Sequence, residues 1–169
     1  HPAVFVESDQ GPVEVFSMPE GAISGLKVSP DGKKFAFLYR PADPNQTKEA
    51  KASRKRERGS EPPLEFSQFP WRLDGDGEFG DRTWTLMVWS GGKASALGPN
   101  DCWAEIDFTW APDSQSLFVS HDPRTEPFME PNDAVLERIE LTGKASRLAS
   151  RPGGKSMLSV SPSGRYLAL

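Results

Sequence analysis

A four-residue turn occurs three times in this chain, and its repetition limits the fold more than any other feature. Ser29-Pro30-Asp31-Gly32 returns as Ala111-Pro112-Asp113-Ser114 and again as Ser161-Pro162-Ser163-Gly164. In each copy Pro presets φ at the second position, Asp or Ser can bond the local backbone, and Gly accepts a left-handed geometry. Apolar residues alternate on both sides. Leu26 and Val28, then Ile106, Phe108 and Trp110, then Leu158 and Val160 lead into the turns. Phe35, Phe37 and Tyr39, then Leu117 and Val119, then Tyr166 and Ala168 lead away from them. A period of two predicts strands, and strands flanking a tight turn predict hairpins.

A second marker moves in step with the first. Gly92-Lys93-Ala94-Ser95-Ala96-Leu97 returns as Gly143-Lys144-Ala145-Ser146-Arg147-Leu148, a shift of 143 − 92 = 51 residues. The prolines of the last two turns are 162 − 112 = 50 residues apart. The first spacing is longer, 112 − 30 = 82, which predicts an insertion of about 30 residues in a repeat of about 40 to 50.

Four strands per repeat follow. The first two flank the turn, the third is Trp84 to Trp89 in one copy and Val135 to Leu141 in the next, and the fourth carries Lys-Ala-Ser. The same register makes Val4 to Val6 a third strand and Val13 to Phe16 a fourth. The predicted organisation is the second half of a repeat over 1–21, a complete repeat over 22–98 with an insertion at 41–82, a complete repeat over 99–150 and the first half of another over 151–169. Four antiparallel strands per repeat with wedge-filling aromatics predict an all-β chain, a partial β-propeller of about three blade equivalents. Half blades leave strand edges open, so homo-oligomerisation through them is expected.

Composition narrows the possible partners. A formal charge of −4 and a pI near 5.3 argue against nucleic acid, whose phosphates call for a basic surface. No apolar run approaches the roughly 20 residues of a spanning helix, so no membrane partner is expected. The 15 Gly and 16 Pro in 169 residues demand many turns and leave little room for long helices. The single Cys102 allows no internal disulfide and reads as a small, partly buried hydrophobe. A soluble protein of the cytoplasm or the periplasm fits this composition.

The insertion breaks the pattern. Lys48 to Arg58 is strongly charged and rich in helix formers, which predicts a solvated short helix or a loop. Pro62-Pro63, Phe66, Phe69-Pro70-Trp71 and the acidic turn from Leu73 to Glu78 follow. Aromatics beside prolines in a long loop are expected to anchor it.

The repeated Ser-Pro-Asp-Gly turns, the charged run ending in Arg58-Gly59, the stretch from Trp71 to Gly77, and Asp81-Arg82 leading into the Trp84–Trp89 strand together resemble a known family. It is the propeller domain of the prolyl oligopeptidase family of serine peptidases, nearest to its acylaminoacyl-peptidase and dipeptidyl-aminopeptidase branch. The resemblance covers most of the chain. It implies a lid over a separate α/β-hydrolase domain, admitting peptide substrates to a serine exopeptidase or oligopeptidase. No catalytic residue of the family maps onto this chain. Trp71, Arg72, Asp74, Asp76, Arg82 and His121 are the candidates for substrate gating or an interface. The turn motif is shared with Tol–Pal translocation propellers, so a propeller scaffold for protein binding is the alternative.

Other chemistry is poorly supported. A nucleophile elbow needs Gly-x-Ser-x-Gly, and the nearest stretch, Gly154-Lys155-Ser156-Met157-Leu158, lacks the final glycine. A triad needs a histidine, and only His1 and His121 exist. Gly154-Lys155-Ser156 preceded by Ala149 mimics a phosphate loop, but an alternating stretch and a turn follow where a helix must begin. Asp74, Asp76 and Glu78 have calcium-loop spacing, yet Phe79 stands where Gly is needed and Thr85 where a bidentate Glu is needed. His1 and His121 as a copper pair are undercut by Pro2 and by their separation. His121-Asp122-Pro123 reads as a loop histidine capped by its neighbour. No metal or cofactor is expected.

Overall fold

The computed structural model describes residues 1–63, 65–66, 72–73, 77–78, 82–101, 106–124, 133–148 and 151–169. Among them the chain is mostly β, with strands in this order: β1 (Ala3–Ser8), β2 (Gly11–Ser17), β3 (Gly21–Val28), β4 (Phe35–Pro41), β5 (Arg72–Leu73), β6 (Gly77–Glu78), β7 (Trp84–Ser90), β8 (Lys93–Asp101), β9 (Asp107–Trp110), β10 (Ser116–His121), β11 (Val135–Glu140), β12 (Ala145–Arg147), β13 (Ser159–Val160) and β14 (Leu167–Ala168). One helix, α1 (Lys48–Glu57), lies between β4 and β5. Two sheets have four strands, ordered β3-β4-β7-β8 and β9-β10-β11-β12. Three have two: β1-β2, β5-β6 and β13-β14. None closes on itself. The chain divides into two compact units, residues 1–23 with 39–82 and residues 24–38 with 83–169.

The three repeated turns fold alike, down to their hydrogen bonds. In each, the amide of the fourth residue donates to the carbonyl of the first: Gly32 to Ser29 at 2.8 Å, Ser114 to Ala111 at 3.0 Å, Gly164 to Ser161 at 2.8 Å. In each, the first amide donates to the carbonyl five residues on: Ser29 to Lys34, Ala111 to Ser116 and Ser161 to Tyr166, all at 2.9 Å. The fourth residue is left-handed every time, with φ of 70° at Gly32, 55° at Ser114 and 70° at Gly164. The Asp31 carboxylate accepts from Ser29 Oγ, the Lys33 amide and Lys34 Nζ, and these bonds, the Lys34 one first, hold its acid well below the usual carboxylate range. Gly32→Ala puts a side chain into left-handed backbone with no neighbour within 4 Å. Backbone strain alone therefore sets the cost, expected at about 1 kcal/mol and readable by urea denaturation.

Within the second unit the turns and first strands bond to one another in succession. The Asp31 amide donates to Ser114 Oγ at 3.1 Å, joining the first turn to the second. A Cβ on Gly164 would stand 3.3 Å from Pro112 Cγ, so the third turn packs on the second. Trp110 Nε1 on β9 donates to the Lys27 carbonyl on β3 at 3.0 Å. Lys27 Nζ reaches Asp107 Oδ1 at 3.3 Å and the Phe108 carbonyl, and Asp107 Oδ2 accepts from the Leu158 amide just before β13 at 2.7 Å. Asp107 is thus bonded to the segments on either side of its own strand.

The core of this unit is aliphatic and aromatic. Phe37, Leu86, Phe108, Leu117 and Val119 are essentially excluded from water, and Trp110, Leu136 and Ile139 lie close to that limit. Phe35 meets Trp89 edge to face, with ring centroids 5.6 Å apart. The part of β4 in this unit, Phe35 to Leu38, is buried on both of its faces, and on β10 Phe118 alone is half-exposed.

In the first unit, Pro2 and Met18 close the β1-β2 hairpin through a 2.9 Å amide bond. The insertion holds α1, on which no residue is buried. Local capping accounts for this helix in the absence of packing. Thr47 Oγ1 accepts from the Ala50 amide at 3.2 Å, the Glu20 carboxylate accepts from the Lys48 amide, Glu49 sits in the first turn, and Arg54, Lys55 and Arg56 fill the last. Left-handed Arg58 ends it.

Candidate functional site

The six residues singled out in the sequence fall in different settings. Trp71, Asp74 and Asp76 lie outside the described residues. So do Cys102 and the first two positions of the phosphate-loop mimic, Ala149 and Ser150. Arg72 belongs to β5, whose backbone pairs with Glu78 on β6 in a short antiparallel hairpin. Arg82 and His121 are among the described residues.

Arg82 stands at the end of the insertion, in the first unit. Its Nη1 donates to the Pro41 carbonyl at 3.1 Å, so the guanidinium ties together the two ends of the inserted segment. Burial lowers its pKa first; neighbouring Arg40 adds to that and Asp43 opposes it. The Ala42 amide, one residue beyond Pro41, donates to the Glu20 carbonyl at 2.8 Å. The arrangement secures the root of a long loop.

His121 ends β10 in the second unit, opposite Val135 on β11. The sequence placed it in a loop, capped by Asp122. Instead it is buried at the strand end, and its Nε2 meets Glu137 Oε2 at 3.2 Å. Its Nδ1 is buried and has no hydrogen-bond partner among the described residues. Asp122 turns to Arg124, accepting from Nε at 2.8 Å and from the amide at 3.0 Å. Glu137 was missed because antiparallel register alone brings it to His121, across 16 residues of chain.

Lys155 forms a separate set of polar contacts, reached through Ser120 on the other side of the sheet. It is buried, and its ammonium donates to the carbonyls of Ala134 and Gly153, the latter at 2.8 Å. The Lys155 carbonyl accepts from Ser120 Oγ at 3.0 Å, and Asp133 Oδ1 accepts from the Gly153 amide at 3.0 Å. The segment from Arg151 to Leu158 contains no helix, so Lys155 points into protein and not toward a phosphate cradle. Ser120 precedes His121 on a strand and so faces the other side of the sheet, its hydroxyl committed to Lys155. Ser120 is therefore not aimed at the His121–Glu137 pair, and the contacts of Ser120, Lys155 and Asp133 act as a polar clasp joining β10 and the residues just before β11 to the segment before β13. No group of His, Cys, Asp and Glu with metal-holding geometry occurs among the described residues.

The Asp122 carboxyl is held below the ordinary range, chiefly by the Arg124 side chain, against the opposing effect of burial. A depressed folded pKa contributes stability above the unfolded value, and that stability is lost as pH falls through the folded one. Asp122→Asn is expected to cost about 1–2 kcal/mol near neutral pH. The deficit should close as the medium is acidified, because protonated Asp122 then resembles the amide. Urea midpoints of both proteins across pH 7 to 2 would check this.

No protein-family model matches the chain, and no curated protein matches it.

Proposed function

We propose that this chain is a run of propeller blades, two complete and two half, serving as the non-catalytic propeller of a serine peptidase of the prolyl oligopeptidase family. In this reading it controls substrate access to a separate α/β-hydrolase domain and breaks no bond itself. One observation carries the propeller part. Three turns of identical hydrogen bonding connect first strand to second, and successive turns and first strands bond each to the next through Asp31–Ser114, Trp110–Lys27 and Leu158–Asp107. Stepwise contact between equivalent strands of successive sheets is what radial repetition requires. The peptidase part rests on the likeness of the insertion, whose ends Arg82 draws together.

In each complete sheet the repeated turn and the third-to-fourth-strand turn lie at one end, and the long connection lies at the other. A gate built this way would use those long connections: the insertion in one repeat and the loop after His121 in the next.

The test is the mass of the native protein in its source, by immunoblot against this segment, with parallel labelling by a fluorophosphonate that reacts with serine hydrolases. A labelled band several times 18.6 kDa supports the peptidase reading. A large unlabelled band points to a binding scaffold, and a band at 18.6 kDa removes the peptidase reading.

A further inference from the structure

We propose that the solvent face of α1 binds an acidic segment of a partner protein, whose carboxylates lie along Lys48, Lys51, Lys55 and Arg56 around Ala52. The inference is independent of the peptidase reading, and binding, not hydrolysis, tests it. The segment 48–58 holds six Lys and Arg against two Glu, a net charge of 6 − 2 = +4. The chain as a whole carries −4, so its other residues carry −4 − 4 = −8. Positive charge is thus concentrated on one helix of an otherwise acidic chain.

Helical geometry gathers that charge further. Lys51, Lys55, Lys48, Ala52 and Arg56 follow one another around about 140° of the helix surface, and all five are exposed. Ala50, Ser53 and Arg54, the partly shielded residues of α1, lie on the opposite side, where Arg54 Nη1 donates to the Asn45 carbonyl. Among the described residues, the side chains of Lys48, Lys51, Lys55 and Arg56 make no ion pair. The two acids of the helix do not neutralise them. Glu57 accepts from Ser53 Oγ at 2.9 Å, and Glu49 stands at the edge of the face in the first turn.

Solvation alone gives no reason for this arrangement. Lys51 and Lys55 are like charges four residues apart, and Lys48 and Lys51 are like charges three apart, which destabilises a helix standing alone. No residue of α1 is buried, so packing does not offset the repulsion. An anionic partner does, by placing a negative charge between the cations. Ala52, with a single methyl group, lets the partner's backbone come close at the centre of the face.

The chemistry of the face selects among anions. A membrane surface calls for apolar residues inserted beside the cations, and this face offers only Ala52. A nucleic acid is a long polyanion that would also meet the −8 carried by the rest of the chain. A short acidic segment needs the face and nothing more. From Lys48 to Arg56 the axis rises about 12 Å, the length of about four extended residues.

The test is fluorescence anisotropy of a labelled ten-residue peptide of alternating Glu and Ser, with a Lys-Ser peptide as control. The chain should bind the acidic peptide and not the control, and more weakly as added salt screens the exposed charges. Lys51→Glu should weaken binding about tenfold, since one attraction becomes a repulsion. Ala52→Glu should weaken it about as much, by setting a carboxylate at the centre of the face. Both variants should keep the helix, because each new Glu stands four residues before a cation, Lys55 or Arg56. Circular dichroism at 222 nm should therefore be undiminished in both.

A single-stranded oligonucleotide and phosphatidylserine vesicles serve as competing probes, and sedimentation at low salt reads self-association. No binding of the acidic peptide at low salt, or binding indifferent to both substitutions, overturns the proposal. Tighter binding of the oligonucleotide or the vesicles, lost in both variants, overturns it in favour of a nucleic acid or a membrane. Self-association lost with Lys51→Glu overturns it too, the occupant then being a second copy.

Discussion

Phe108→Ala is expected to cost about 3–5 kcal/mol, the range for deleting a buried aromatic ring where the surroundings cannot collapse. Phe108 is 2% exposed. The Lys27 ammonium sits over its ring at 5.0 Å from the centroid, and the ring edge lies 3.4 Å from where a Cβ on Gly25 would stand. Removing the ring therefore loosens β3 as well as β9. With a urea slope of about 2 kcal/mol per molar, the midpoint followed by tryptophan fluorescence should fall by about 2 M. A shift under 0.5 M would mean that the ring does not join these strands.

Gly21→Ala is expected to be nearly as damaging, at about 3 kcal/mol, for the opposite reason. A Cβ there would stand 2.4 Å from the Arg40 carbonyl oxygen, 2.9 Å from Tyr39 Cε2 and 3.0 Å from Pro41 Cα. Two of the three obstacles are backbone, so no rotamer change relieves the clash. The same denaturation experiment reads the effect. It should also show whether the bonds from the Tyr39 hydroxyl to the carbonyls of Pro19 and Glu20, at 3.2 and 3.3 Å, survive, through the near-ultraviolet tyrosine signal. A cost under 1 kcal/mol would show that β3 and β4 part easily at this point.

These two positions differ in how visible they were. Phe108 stands in an alternating run before a repeated turn, and alternation marks it as inward-facing. Gly21 carries no such mark. Its intolerance comes from the backbone of β4, about 20 residues away, crossing where its side chain would be. Met157 is a similar case. It is left-handed at φ 62°, as Gly25 is at 63°, and each lies four residues before its turn (29 − 25 and 161 − 157). Two copies of the repeat share that backbone, and in only one of them is the residue suited to it present.

Of the candidate site, His121 was noticed and its partner was not. Nothing local connects His121 with Glu137, or Lys155 with the carbonyls of Ala134 and Gly153, because each contact needs strands or segments brought together from a distance. Arg82 was picked for its place beside the insertion, and its bond to Pro41 joins residues 41 apart in the chain.

What the sequence determined by itself is local and periodic: the three turns, whose Pro, Asp and Gly have intrinsic backbone preferences, and the strands beside them, whose alternation has a period of two; for the charged run it left a short helix and a loop both open. What only the tertiary structure decided is non-local. It set the burial of both faces of β4, where the sequence marked one, and it chose partners for the buried polar groups. The physical reason is that propensity and periodicity act over a few residues, whereas burial and pairing depend on which distant surfaces meet.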